Sequence, residues 1–195
     1  MSSPCPKCHV VPFVLVPAIL LLAGAGMAAE PSKEAQIEDA LSAATPAIRA
    51  TARVMDEHGN VLKEGAGPYT CFPTIAAVRE QGPEPQCLDQ VWMEWVDAYM
   101  DKKPFKTDRV GVAYMLVGDA GGASNSEPFD MAPTEHNHWV IEGPHVMVIV
   151  PDPAQLAGLP TNPDTEGAYV MWPGTDYAHI MIPVAPRPNQ RVAGQ

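Results

Sequence analysis

Basic residues are scarce: 12 Lys and Arg stand against 23 Asp and Glu, for a net charge of −11. A chain this acidic is repelled by nucleic-acid phosphates and by anionic lipid, so neither is expected as a partner. The densest basic stretch, "DKKPFK", holds only three lysines. Cysteine is nearly as rare: there are four, and Cys5 and Cys8 lie at the very start. The apolar stretch Val10–Gly26 falls short of the ~20 residues that cross a bilayer as a helix, and Pro12 and Pro17 interrupt it. No phosphate-binding glycine loop, dinucleotide fingerprint or G-x-S-x-G nucleophile elbow occurs. The familiar nucleotide and esterase chemistries therefore have no motif to stand on.

What is present begins with a leader. Lys7 precedes the apolar stretch, and the small residues of "AGAGMAAE" follow it. This pattern reads as a signal peptide over residues 1–29, cut after Ala25, Ala28 or Ala29. The protein is expected to be exported, to the periplasm or the extracellular medium, and its mature form not to be membrane-embedded. Cys5-Pro6-Lys7-Cys8-His9 has the C-x-x-C-H spacing of c-type haem attachment. That motif sits in a segment discarded on export, before haem is attached, so covalent haem is not expected. No second Cys/His pair stands at zinc spacing from it. Cys71 and Cys87 remain, and in an oxidising compartment they are expected to close a disulfide.

The rest of the chain mixes helices and strands without βαβ repetition, which predicts a single α+β domain over residues 30–184 with a largely antiparallel sheet. "SKEAQIEDALSAATP" predicts a short N-terminal helix capped by Ser32 and stopped by Pro46. "ATARVMDEHGNVLKEG" predicts a hairpin around Gly59-Asn60. "CLDQVWMEWVDAYMDKK" predicts one long amphipathic helix, about 87–103, with Leu88, Trp92, Trp95 and Tyr99 on its apolar stripe. "RVGVAYMLVG" and "PHVMVIVPD" predict buried strands, and "AYVMW" with "YAHIMIPV" a closing hairpin. "AGGASNSEPFDMAPTEHNH" reads as a long loop, and residues 185–195 as a disordered tail.

Two strands share a pattern that carries chemistry. Side chains alternate along a strand, so His145 and Met147 share one face, and so do His179 and Met181. If the two strands are neighbours in register, two imidazoles and two thioethers converge, and Met115 and Met171 from adjoining strands join them. Thioether sulfur is soft and suits Cu(I), and imidazole suits copper in either oxidation state. The His-x-Met element resembles one used by periplasmic copper chaperones. The opposing expectation is that these residues are core, since methionine is a flexible core filler. A second cluster, His136, His138 and Glu142, resembles the first half of the cupin metal motif, and "GAYVMWPGTDYAH" its second half. That resemblance implies a metal-dependent enzyme using these three residues with His179. From about Ile37 to Val184, "EGPHVMVIVPDP" and "YAHIMIPV" give the chain the look of a group of small, uncharacterised secreted bacterial proteins. This likeness implies export and a single domain, and no activity.

The expectation is thus an exported binding protein rather than an enzyme. Its ligand is a metal, copper first, or a small molecule. The alternatives are a non-catalytic module that docks an exported protein partner through a fold with a His/Met core, and a cupin-like enzyme.

Overall fold

The computed structural model describes residues 30–165 and 167–188. The expected signal peptide, with its C-x-x-C-H motif, and the end of the tail lie outside these residues. By backbone contacts the residues from Pro31 onward form a single compact unit.

Helix α1 spans Lys33–Ser42, with the Ser32 side chain accepting the Ala35 N–H at its start. Pro46 does more than stop this helix. Its fixed φ suits a first helical position, and it opens a second helix, α2, Pro46–Thr51. The predicted hairpin follows as β1, Arg53–Met55, and β2, Val61–Lys63. Strands β3, Thr70–Phe72, and β4, Gln86–Leu88, come next. The long helix, α3, runs Gln90–Met100 and is shorter than its sequence pattern. Cys87 and Leu88 belong to β4, because Cys87 pairs directly with Cys71 across the sheet. Asp89 then makes the corner. One of its carboxylate oxygens caps α3 at Trp92 N, and the other accepts the Val112 N–H, 2.6 Å away.

Strand β5, Gly111–Met115, enters the middle of the sheet. The long loop holds a small ladder of β6, Ala123–Ser124, and β7, Trp139–Val140. Strand β8 is His145–Ile149, β9 is Tyr169–Met171 and β10 is His179–Pro183. The main sheet has the order β2-β1-β3-β4-β5-β8-β10-β9, and only β1 and β3 run parallel. The fold is α+β. Among the described residues the sheet is open, with β2 and β9 at its edges, and does not close into the small barrel that the cupin resemblance implies.

The pleat divides the core in two. Cys71, Cys87 and Val54 pack with Ala40, Ala43 and Ala44 of the α1 region on one face. Small residues there let α1 lie close to the strands. Leu88, Ala113, Met147 and Met181 face the other way and pack with Val91, Trp92 and Trp95 of α3. Gly111 is where α3 comes closest, since a β-carbon there would lie 2.9 Å from Val91 Cγ1.

Cys71 and Cys87 are joined by a disulfide, 16 residues apart in sequence, between directly paired positions of β3 and β4. Closing a loop of this length restricts the unfolded chain by about 3 kcal/mol in the chain-entropy model. The Cys71→Ala/Cys87→Ala variant should therefore lose roughly 2–4 kcal/mol in urea unfolding. Unreduced protein, unfolded and treated with a thiol reagent, should show neither of these cysteines free.

Candidate functional site

Strands β5, β8, β10 and β9 lie side by side, and their α3-facing residues form one stripe. Three cross-strand pairs define it: Met115 with His145, Met147 with Met181, and Met171 with His179. All six are buried. The alternation read from the sequence thus places both His-x-Met pairs, with Met115 and Met171, on a single face.

The register does not bring the two histidines to one point. His145 pairs with Pro183, and His179 is four positions further along β10. That offset is about 13 Å of strand. A metal held by both imidazoles requires nitrogens roughly 4 Å apart, since each bond is ~2 Å. The convergence of His145 and His179 expected from the sequence is therefore not what the pairing favours. Met147 and Met181 do meet, midway between the two rings.

The ends of the stripe differ. His179 is enclosed by Trp92, Trp95 and Trp172, whose ring centroids lie 5.1, 5.6 and 5.4 Å from its own, all edge-on. Trp95, Tyr99 and Trp172 lie parallel to one another within 4°. Trp172 adopts φ +54°, a conformation that bulky side chains avoid. Two bonds hold it there: its indole N–H donates to the Ser124 carbonyl at 2.5 Å, and its backbone N–H to the Asn125 carbonyl at 3.2 Å. Burial pushes the His179 imidazole down to about 4. This end is packed aromatic core.

At the other end His145 is 1% exposed. Its Nδ1 lies 2.7 Å from the Gly143 carbonyl oxygen. A carbonyl only accepts, so Nδ1 carries the hydrogen and Nε2 the lone pair. Burial lowers the pKa of this imidazole and keeps it neutral. Among the described residues Nε2 has no hydrogen-bond partner. A buried polar atom left unpaired is costly and asks for an explanation.

Beside it stands a charged network. The Glu142 carboxylate, 1% exposed, accepts the Tyr169 hydroxyl at 2.8 Å and the Arg187 guanidinium at 2.9–3.1 Å. Arg187 also donates to the Pro163 carbonyl and to Asp164, and Asp164 lies 3.2 Å from His138 Nε2. Burial and the facing Glu142 carboxylate raise the Tyr169 hydroxyl far above its usual range, so it stays a donor. Glu142 is thus committed to Arg187 and Tyr169, and both His136 and His138 are exposed on the long loop. Among the described residues no three His, Cys, Asp or Glu side chains are placed to hold a metal. The cupin-like set of His136, His138 and Glu142 is not assembled.

A carboxyl pair lies next to this network. Glu84 accepts the Gly121 N–H at 3.0 Å, and Asp119 accepts the Gly122 N–H at 2.6 Å. Burial, with Glu84 alongside, pushes Asp119 up to about 8. Burial also raises Glu84.

No family model matches this chain. No curated protein and no solved structure is significantly similar to it either. Sequence reasoning missed Tyr169, Arg187, Glu84 and Asp119. Each is an ordinary polar residue whose partner is distant in the chain, and Arg187 falls in a stretch that reads as tail. Residues 185–188 are not loose: Val184 N donates to the Pro144 carbonyl, and Arg187 seats on Glu142.

Proposed function

We propose that this is an exported protein that binds a soft metal ion, Cu(I) first, through His145 Nε2 and the thioethers beside it. The observation that carries the reading is the unpartnered, buried Nε2 of a neutral imidazole. Nδ1 bonded to a backbone carbonyl is the arrangement that orients metal-binding histidines elsewhere. Met115 lies directly across from His145, and Met147 follows on the same strand and face. A donor set of one imidazole and thioethers suits Cu(I), and gives Zn(II), Ca(II) or Mg(II) little to bind. The disulfide accords with export, because such bonds persist in oxidising compartments. Among the described residues no helix is long and apolar enough to cross a membrane.

The test is an anaerobic Cu(I) titration against a chromophoric chelator. One equivalent should bind. His145→Ala should weaken binding by about 100-fold or more, beyond what loss of an outer-shell partner costs. Met147→Leu should weaken it less and leave unfolding unchanged, since the swap conserves volume. His179→Ala should leave copper stoichiometry intact and lower stability by opening a hole among three tryptophans. Absence of Cu(I) binding would return the whole stripe to a His/Met core.

A further inference from the structure

We infer that residues 184–188 are a strap that closes the His145 end of the stripe and controls entry to it. This rests on the metal-binding reading for its purpose, and on separate geometry for its existence. The chain leaves β10 at Pro183, which pairs with His145 itself. Val184 N then donates to the Pro144 carbonyl at 2.8 Å. The next residues lie directly on Gly143, where a β-carbon would stand 2.5 Å from the Pro186 carbonyl oxygen. Only glycine admits the strap so close. That same Gly143 supplies the carbonyl that fixes the His145 ring. Arg187 then anchors the strap. Its Nε bonds both Glu142 oxygens at 3.1 Å, and its charge lies 5.9 Å from the centroid of the Tyr169 ring. Tyr169 pairs with Met181 on β9 and β10, so its ring flanks the thioethers while its hydroxyl ties to Glu142.

Strap, Glu142 and Tyr169 therefore form one bonded closure over one end of the stripe. The tryptophans at the His179 end belong to α3 and the turn after β9. Releasing Arg187 should open the His145 end and leave the His179 end shut. Local opening of this kind draws on a few terminal contacts and not on the whole core.

The experiment is histidine labelling with diethyl pyrocarbonate, read by peptide mass spectrometry on the intact chain without metal. His136 and His138, both exposed, should react quickly in every variant. In the wild type His145 and His179 should both react slowly. Arg187→Ala should speed His145 labelling by about tenfold and leave His179 unchanged. Arg187→Lys keeps the charge but not the two-pronged fit to the carboxylate, and should fall between. It carries the test if the alanine variant does not fold. Equal acceleration of His145 and His179 would mean general loosening and would overturn the strap, as would no change in either. Ag(I) added before labelling separates the two claims. If Arg187 variants expose His145 but Ag(I) never protects it, the strap stands and the metal reading fails. If Ag(I) protects His145 at the same rate in wild type and variants, the metal reading stands and the strap does not gate it.

Discussion

Glu142→Ala should cost this protein roughly 3–5 kcal/mol, because removing one member of a buried ion pair leaves the other uncompensated. Arg187 is 12% exposed at its side chain and directs its guanidinium at Glu142, with Asp164 as a second and more exposed acid partner. Without the carboxylate, the Tyr169 hydroxyl loses the acceptor that Glu142 supplies, and an unmet buried donor adds about 1–3 kcal/mol. Glu142→Gln should recover only part of the loss, since its amide turns donor hydrogens toward a guanidinium that also donates. The double variant Glu142→Leu/Arg187→Met should be less destabilised than the two single changes summed, because apolar groups of similar size need no partner. Urea unfolding followed by tryptophan fluorescence measures each of these variants, the two single changes included. A Glu142→Ala loss below about 1 kcal/mol would mean that the network is solvated and contributes as little as a surface pair.

That network also marks where sequence reasoning stops. Period-two alternation in "HVMVIV" and "YAHIMIPV" suffices to put His145 with Met147, and His179 with Met181, on one face of each strand, and the pairing of Met147 with Met181 makes it the same face of the sheet. Alternation says nothing of register. Register depends on how the long excursion between β8 and β10 returns, and a shift by four positions preserves the face while moving the imidazoles apart. The start of α3 was hidden for a related reason. The apolar stripe runs back to Leu88, but a covalent tie to Cys71 and the Asp89 cap outweigh helical periodicity there. The disulfide was legible from compartment and cysteine count alone. Arg187 was not: in "APRPNQR" nothing local distinguishes it, and its partner stands 45 residues away.

Stability should fall as pH rises from about 7 to about 8, at up to about 1.4 kcal/mol per pH unit for each proton the folded state alone retains. The group responsible is Asp119. Burial first, and then the negative charges of Glu84 and, more weakly, Glu142, raise its carboxyl to about 8 from an ordinary 3.8. Above 3.8 the unfolded chain has already released this proton and the folded chain has not. Folding therefore takes up a proton, and raising the pH opposes it until the folded group also ionises near 8. Below pH 6.5 the two buried histidines pull the other way. Both are held neutral by burial, His179 down to about 4, so the unfolded chain gains their protons first and acid destabilises the fold. Between about 4 and 7 the two effects oppose one another. Above about 7 the histidines are largely neutral in both states and the carboxyl pair is left to set the slope. Asp119→Asn isolates it. The amide oxygen still accepts the Gly122 N–H, and the side chain no longer titrates. Urea midpoints at half-unit steps from pH 7 to 8 should decline in the wild type and not in Asp119→Asn. Parallel declines in the two proteins would place the proton elsewhere.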